Sequence, residues 1–423
     1  MTSRRALLRG LAATAVLTAC ERATTTPTDT PSPTAIARPS PSATPAATVP
    51  ASPTASGPRV TVIRAAGIAD GTAPSRLANV AVVLRGDRIV YAGPRDGAPP
   101  AANADVIDLP ALTVVPAMVD CHVHVTGTGG TDAHATLQQP DAVLLERAVA
   151  NGELLARTGV LGVRDVGAVR AANVRARDAY RSRAGLPYIA AAGTWIARSG
   201  RGYVPFAVQV ADADALLAAD LAQLDLGADL VKIAGDGATG SAAHWSVAEL
   251  RRAVDAVHAR GKTVAVHAQG LGARVAAEAG ADTIEHGFTI DAATAAAMRG
   301  RSTLVTSLST ALAFAQLDGA LASVRAARDA GVRIAAGTDA GGAPPRFGEF
   351  ATEVELLVRA GLAPHQALAS ATRIGGAVLG VPGLGTLAAD GPADLVLVDG
   401  DPLSEPRALR NVRAVFRAGV RIV

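Results

Sequence analysis

A regular alternation of short apolar segments with longer helical patterns runs from residue 114 to residue 338 and constrains the fold more than any other feature. Helix-ending glycines such as Gly227, Gly280 and Gly331 stand just before predicted strands. This alternation is typical of βα units in a parallel sheet. The predicted strands are Val114–Val125, Val160–Val166, Tyr188–Trp195, Leu230–Ala234, Thr263–His267, Thr283–His286, Leu304–Ser307 and Val332–Thr338. Eight strands predict an α/β fold with a closed TIM (β/α)8 barrel, and a doubly wound open sheet is the alternative.

Both ends of the folded body contain strand-like segments without a helical period. Val60–Ile63 and Val80–Leu84 lie at one end, and Ala393–Val398 lies at the other. The pattern predicts a small composite β-sandwich domain built from residues 59–115 and 381–423, around a barrel of residues 116–380. Helices are predicted at Asp141–Arg157, Val247–Arg260 and Ala320–Ala330.

The N-terminal segment has the composition of an export signal and a stalk. Residues 1–19 combine paired arginines with a short apolar stretch, which predicts a signal peptide of the twin-arginine or lipoprotein type. Cys20 is the predicted lipidation site, and residues 20–58 form a Thr/Pro/Ser/Ala-rich segment that is expected to be disordered. We therefore expect a lipoprotein on the outer face of a bacterial membrane, touching the membrane only through this anchor. The alternative is a secreted soluble protein.

The net charge of the chain constrains the kinds of partner that it can bind. The formal net charge of +3 equals the contribution of Arg4, Arg5 and Arg9 in the predicted leader. A nearly neutral body with only 3% aromatic residues argues against a nucleic-acid surface. Small molecules or dipeptides are the expected partners, and a homo-oligomer is left open. With Cys20 lipidated, Cys121 has no partner for a disulfide.

Polar residues fall at the carboxyl ends of the predicted strands, where a barrel carries its catalytic rim. They are His122, His124, Lys232, His267, His286 and Asp339. His122 and His124 are two residues apart, so strand alternation points both to one face, where they can bind one ion. A pair of surface histidines is the simpler interpretation of that motif alone. Four of the chain's eight histidines at strand ends make chance a poor explanation.

Lys232 stands out because the chain otherwise uses arginine for its cations and has only one other lysine, Lys262. Arginine would serve as a simple charge, whereas a lysine amine can lose its proton and react with carbon dioxide to form a carbamate. The product is an anionic oxygen ligand able to bridge two metals. The alternative is a lysine that caps a strand end beside Asp236.

Several motifs together resemble the amidohydrolase superfamily, in particular its imidazolonepropionase-related, Xaa-Pro dipeptidase-like branch of metal-dependent hydrolases. These motifs are Pro116–His124, Val231–Ile233, Val266–Gly270, Ile284–Gly287 and Ala336–Gly341. The segments Leu384–Leu387 and Ala393–Leu403 resemble the return of that superfamily's chain into its β-sandwich.

The resemblance implies two divalent metal ions, with zinc as the expected metal. His122, His124 and Asp339 would bind one ion, His267 and His286 the other, and an N6-carboxylated Lys232 would bridge them. A metal-bridging hydroxide would attack the substrate, with Asp339 as general base and then general acid. In its simpler interpretation Asp339 is a turn or helix-capping residue.

The implied reaction is cleavage of amide bonds, with dipeptides or N-acyl amino acids as substrates. A cyclic amide (imidazolone), lactone, ester or organophosphate hydrolase is the enzymatic alternative, and a catalytically inactive substrate-binding lipoprotein is the alternative from another class. The chain departs from the family in the loops after the third and eighth predicted strands, Arg198–Tyr203 and Pro344–Glu349, where a histidine of related dipeptidases is missing. Candidate substrate-binding residues are Arg198, Arg201, Tyr203, His244 and Arg346.

Overall fold

The computed structural model describes residues 58–130, 138–201, 206–237, 240 and 242–423. The predicted signal peptide, Cys20, nearly all of the predicted stalk, and Tyr203 lie outside these residues. In the part of the chain that is described, no helix combines the length and the apolar character needed to cross a bilayer.

A seven-stranded mixed sheet joins the two ends of the folded body. Numbered in chain order, its strands are β1 Val60–Ile68, β2 Leu77–Arg85, β3 Arg88–Pro94, β4 Asp105–Pro116, β15 Leu395–Asp399, β16 Val412–Arg417 and β17 Val420–Arg421. The order across the sheet is β17-β16-β15-β4-β1-β2-β3. The two halves meet where β4 pairs with β1 in parallel and with β15 in antiparallel fashion. The composite domain built from both chain ends is therefore present.

The inner face of this sheet has its own apolar core. Ile63, Val82 and Leu84 from the N-terminal strands pack in one cluster with Leu395 and Phe416 from the C-terminal strands, and all are essentially inaccessible to solvent. Burial of each such side chain contributes about 1.5–3 kcal/mol. The sheet is thus held together by side chains from both ends of the sequence.

Within the described residues, eight parallel strands form the barrel, as predicted. They are β5 Met118–Val123, β6 Val160–Asp165, β7 Tyr188–Ala191, β10 Leu230–Ala234, β11 Thr263–Ala268, β12 Thr283–His286, β13 Thr303–Val305 and β14 Arg333–Ala335. The amide of Cys121 donates to the carbonyl of Ala336 (2.9 Å) and closes β5 onto β14. The amide of Asp229 donates to Ala191 (2.8 Å) and joins β10 to β7. All strands run in one direction, so their carboxyl ends gather at one rim.

Several predicted strands differ from the observed ones in their bounds, and β14, Arg333–Ala335, is shorter than the predicted Val332–Thr338. The segment Val114–Val125 divides at Ala117, because its first part belongs to β4 of the mixed sheet and its second part to β5 of the barrel. The third predicted strand ends at Ala191, shortly before Gly193 takes a left-handed conformation with φ +73°. Two short strands that the sequence pattern did not predict follow, β8 Ile196–Arg198 and β9 Val208–Val210.

Helices surround the barrel, and several begin or end at the residues that sequence rules favour. The helices in the described residues are α1 Asp141–Arg157, α2 Ala172–Arg181, α3 Ala213–Asp225, α4 Val247–Ala259, α5 Leu271–Ala279, α6 Ala292–Met298, α7 Leu308–Ala313, α8 Leu317–Asp329, α9 Phe350–Arg359, α10 Pro364–Ala371 and α11 Arg373–Leu379. Ser246 and Glu249 form a reciprocal capping box at the start of α4. Gly280, in a left-handed conformation, ends α5.

Short 3-10 turns lie at Arg95–Gly97, Val169–Ala171 and Pro406–Arg410. The main core, between the barrel strands and helices, is aliphatic, as the low aromatic content requires. Small residues such as Ala273, Ala276 and Ala277 are fully buried on α5 and let that helix lie close to the strands. The packed barrel therefore forms a rigid support for side chains at its carboxyl rim.

Candidate metal centre

His122 and His124 lie at the end of β5 and turn into the barrel together, as strand alternation predicts. Their ring centroids are 5.5 Å apart, and both side chains are almost completely buried. Asp120, two residues earlier, accepts hydrogen bonds from the amide of His122 (3.2 Å) and from the amide and hydroxyl of Thr338 (3.0 and 2.6 Å). Burial raises the pKa of Asp120 to about 7. This carboxyl group joins the start of the site to the loop after β14.

His286 and Asp339 reach the same place through an unusual backbone conformation. Both have positive φ angles, +72° and +64°, in the left-handed region that non-glycine residues rarely adopt. The ring of His286 lies 4.6 Å from that of His122 and 4.7 Å from that of His267, measured between centroids. Backbone strain of this kind is typically found at functional sites.

The side chains of these residues converge on one point. Ligand atoms of His122, His286 and Asp339 all lie within 4.8 Å of one another. The Oδ1 atom of Asp339 is 3.1 Å from Nε2 of His124 and 3.5 Å from Nε2 of His122. Imidazole and carboxylate groups are the ligands of zinc and related divalent metals. The donor set and its spacing therefore fit a metal ion.

Each of three histidines has its Nδ1 atom next to a hydrogen-bond acceptor. The partner of His122 is Oε2 of Glu285 (2.7 Å), and that of His124 is the carbonyl of Gly167 (2.7 Å). Nδ1 of His286 lies 3.1 Å from the hydroxyl of Ser307, which itself donates to the carbonyl of Thr306. These contacts leave the Nε2 atoms available to a ligand.

Burial favours the neutral form of the His122 and His267 rings. Desolvation, with the neighbouring Lys232 as a further cause, holds the pKa of His122 well below its usual value and lowers that of His267 to about 3. A neutral imidazole has the lone pair that metal binding requires.

Lys232 lies on β10 inside the barrel and is 1% exposed. Burial lowers its pKa to about 8, against the opposing influence of Glu285 and Asp339. Among the described residues its ammonium group has no carboxylate within ion-pair distance. The carboxylate of Asp236 instead accepts the backbone amides of Gln269, Gly270 and Gly272 near the start of α5. Lys232 is thus not paired with Asp236.

The candidate substrate-binding residues have different surroundings. Arg198 donates to the carbonyl of His244 (2.7 Å) and lies over the ring of Trp245, 4.8 Å from its centroid. His244 itself is buried, and Nδ1 has no hydrogen-bond partner among the described residues. Arg201 and Arg346 are exposed. The arrangement therefore brings His244 into the interior, while Arg198 is held by the loop between β10 and α4.

The histidines that the sequence assigns to structure or solvent lie elsewhere or outside the described residues. His258 on α4 contacts Asp282 (2.9 Å between Nε2 and Oδ2), and His365 lies on α10. His134 is outside the described residues.

The sequence interpretation missed an ion pair directly behind the site. Arg164 on β6 and Glu285 on β12 are fully buried and 2.6 Å apart. Trp195 was missed as well, and its ring lies 5.1 Å from that of His124. For the ion pair, the available signal was Arg164 within the mainly apolar predicted strand Val160–Val166. A charged side chain is rarely buried without a partner.

A closed (β/α)8 barrel with histidines and a carboxylate converging at its carboxyl rim defines a class of proteins able to hold catalytic metal ions there. The sequence profile of the Amidohydrolase family matches residues 113–422. The chain belongs to the amidohydrolase family, and it is a hydrolase by that membership.

Similar proteins support this assignment. An uncharacterized protein of Mycobacterium tuberculosis is 32% identical over 344 residues, covering 76% of this chain and 88% of the relative. The imidazolonepropionase of Rhizobium meliloti is 31% identical over 368 residues, covering 77% and 86%. The crystal structure of a Xaa-Pro dipeptidase with methionine bound in its active site superposes with a TM-score of 0.78, at 26% identity, over 86% of this chain and 99% of that chain.

Proposed function

We propose that this protein is a binuclear metal-dependent hydrolase that cleaves the amide bond of dipeptides or N-acyl amino acids. The observation that carries the proposal is the convergence of His122, His286 and Asp339 on one point, beside a buried Lys232 that has no carboxylate partner among the described residues. Three protein ligands are the number that one catalytic ion takes, and the neighbouring rings of His124 and His267 offer further ligands for a second ion.

In the proposed arrangement His122, His124 and Asp339 would hold one ion, and His267 and His286 would hold the other. A carboxylated Lys232 would supply a further anionic oxygen ligand. A buried amine without a carboxylate partner is costly to keep charged, which favours its neutral form. The neutral amine adds to carbon dioxide, loses one proton and leaves an anionic carbamate. The lowered pKa of Lys232 supports this step.

Two divalent ions in such a site supply an acidified water and a polarised substrate carbonyl. The exposure of Asp339 supports a role in proton transfer, because its side chain is 13% exposed, against 1% for His122, and is therefore more accessible to solvent. The carboxylate takes the proton from the attacking water and delivers it to the nitrogen of the leaving amine. The carbonyl carbon gains the oxygen, and the carbon–nitrogen bond breaks.

Two kinds of substrate are favoured by specific relatives. The structural similarity to a Xaa-Pro dipeptidase, over nearly the whole of that chain, supports dipeptides as the first candidate. The similarity to an imidazolonepropionase makes a cyclic amide of the imidazolone type the second candidate. A small molecule or a dipeptide is the expected partner in either case. From the leader sequence we propose that the reaction takes place outside the cytoplasmic membrane.

The first experiment is the metal content of the full chain, purified without chelators and with bicarbonate present. Two divalent ions per chain are expected for the native protein. Lys232→Arg keeps the charge but cannot form a carbamate, so it should lose one ion and its activity. Lys262→Arg changes the only other lysine and serves as the matched control.

Unchanged metal content and turnover in Lys232→Arg would exclude the carbamate bridge. A native protein that binds a single ion would shift the proposal to a mononuclear enzyme. A panel of dipeptides, N-acyl amino acids and an imidazolone then decides the substrate class by kcat/KM. Hydrolysis of the imidazolone alone would reject the dipeptidase assignment.

A further inference from the structure

A buried ion pair crosses the interior of the barrel behind the metal centre. Arg164 lies on β6 and Glu285 on β12, which are not neighbouring strands, and the two side chains are almost completely inaccessible to solvent. The interior of a (β/α)8 barrel is ordinarily filled with branched apolar side chains. A buried ion pair gives little net stability compared with such packing. We therefore expect the ion pair to have a role other than packing the barrel interior.

Each group of the pair has a partner next to His122. Arg164 donates from Nε to the carbonyl of Cys121 (2.7 Å), the residue directly before His122, and from its terminal nitrogens to Oε1 of Glu285 (2.6 Å) and the hydroxyl of Thr283 (2.8 Å). The second carboxylate oxygen, Oε2, is 2.7 Å from Nδ1 of His122. The pair thus holds the backbone before His122 and the far side of its ring.

We propose that Arg164 and Glu285 are positioning residues that hold the ring proton of His122 on Nδ1 and so direct its Nε2 lone pair to the metal. This inference rests on the proposed metal-dependent function. Glu285 is an acceptor only, because the adjacent guanidinium keeps it ionised, and His122 must then be the donor. The proton cannot move to Nε2 without placing two lone pairs against each other.

The other histidines show why this contact is special. The Nδ1 atoms of His124 and His286 face a carbonyl and a hydroxyl, which are uncharged acceptors. A charged acceptor behind a ligating ring raises its basicity and fixes its orientation more strongly. Loss of such a partner typically costs about 10–100-fold in metal affinity.

Glu285→Gln tests the proposal with almost no change in shape. If the amide oxygen stays on Arg164, the amide NH2 faces His122 and forces the ring proton to Nε2. If the glutamine amide instead rotates by 180°, its NH2 group faces the guanidinium of Arg164, and two hydrogen-bond donors oppose each other. We therefore expect zinc affinity, measured by competition with a chromophoric chelator, to fall about 10–100-fold.

Glu353→Gln is the matched control. Glu353 is also fully buried and accepts hydrogen bonds from Thr306 and from the first residues of α7, but it contacts none of the histidines among the described residues. The same substitution there should leave the zinc affinity of the folded protein unchanged. Equal losses in both variants would overturn the proposal, since they would reflect a general disturbance of the barrel.

A second variant covers the case in which Glu285→Gln does not fold. Replacing both charges, as Arg164→Met with Glu285→Leu, exchanges the pair for apolar side chains and is expected to leave a folded barrel. Zinc affinity should still fall about 10-fold or more, because His122 has lost its acceptor. Native zinc affinity in this double variant would overturn the proposal.

The position of the proton can be read without metal or substrate. In the metal-free native protein, 15N NMR of the imidazole nitrogens, with His122 assigned by its loss in His122→Gln, should show the Nδ1–H tautomer. A population of the Nε2–H form should arise in Glu285→Gln. An Nε2–H tautomer in the native protein would refute the inference directly, whereas a failure to hydrolyse dipeptides would refute only the proposed function.

Discussion

The two arms of the candidate metal centre reach the same point by different backbone routes. His122 and His124 extend from a regular strand, and ordinary alternation turns both side chains inward. His286 and Asp339 follow the strand ends and depend on left-handed backbone at their own positions. We call His122 and His124 the regular arm, and His286 and Asp339 the left-handed arm. The regular arm depends mainly on the hydrogen-bond partners of its imidazole rings, and the left-handed arm depends on its backbone conformation.

The left-handed arm stores strain that the rest of the site offsets. A non-glycine residue in this conformation costs of order 1–3 kcal/mol. The amide of Asp339 donates to the carbonyl of His122 (2.8 Å), which ties the two arms together. The loop before it is held by the bonds between Thr338 and Asp120. The centre is thus one unit in which the regular arm supports the strained one.

The largest effect is expected for Asp339→Asn. Asparagine tolerates left-handed backbone, so the fold should be kept, but its amide cannot accept and return a proton. Turnover should fall by about 10²–10⁴-fold. The measurement is kcat on the best dipeptide substrate, with the melting temperature recorded beside it.

Asp390→Asn is the control for that variant, since Asp390 is an exposed aspartate that also has a left-handed φ, +61°. It should leave kcat unchanged. Full turnover in Asp339→Asn would remove Asp339 from the proton-transfer role.

The next effect concerns the support of the regular arm. Arg164→Met leaves Glu285 buried without its cation, and the free energy of unfolding should fall by about 3–5 kcal/mol. Arg410→Met breaks an ion pair of the same length, 2.6 Å to Glu355, between partly exposed side chains. That control should lose less than about 1 kcal/mol. Urea unfolding of both variants measures the contrast, and equal losses would mean that burial of the first pair is unimportant.

A smaller effect is expected from Gly287→Ala, beside His286. Gly287 has φ +62°, and a Cβ atom there would meet side-chain atoms of Ile290 and Leu304 at 2.5 and 2.8 Å. Crowding should cost about 1–3 kcal/mol beyond the backbone penalty. Gly261, with φ +65° and open space around a Cβ atom, isolates that penalty. If Gly261→Ala and Gly287→Ala unfold at the same urea concentration, packing behind His286 is not what holds the left-handed arm.

The regular arm was predictable from sequence because its information is local. The motif from His122 to His124 and the strand-end positions of Lys232 and His267 follow from period-two alternation within single strands. The barrel itself followed from eight repeated units, and the capping box at Ser246 from four adjacent residues. Alternation alone does not orient His286, which has a positive φ of +72°. Its prediction came from its position at the end of the predicted strand Thr283–His286, and the family motif Ile284–Gly287 supported it.

The ion pair behind the site was not predictable in the same way. Arg164 and Glu285 are 121 residues apart and meet only because the closed barrel brings opposite strands together. Which interior side chains face each other depends on the stagger of all the strands, and no local pattern encodes that. The short strands β8 and β9 were missed for a related reason, because three residues are too few to show a period.

The smallest expected effect separates backbone strain from side-chain contact in the left-handed arm. Alanine has no side chain that favours left-handed backbone, so Asp339→Ala should be less stable than Asp339→Asn by about 1 kcal/mol. The same comparison at Asp390 gives the backbone term alone, because that residue is exposed. Free energies of unfolding of the four metal-free variants provide both differences. If the Asn-to-Ala difference in the free energy of unfolding is the same at positions 339 and 390, the side chain at 339 adds nothing to stability and serves ligand binding only. A larger difference at 339 would mean that the contact with His124 also stabilises the strained conformation.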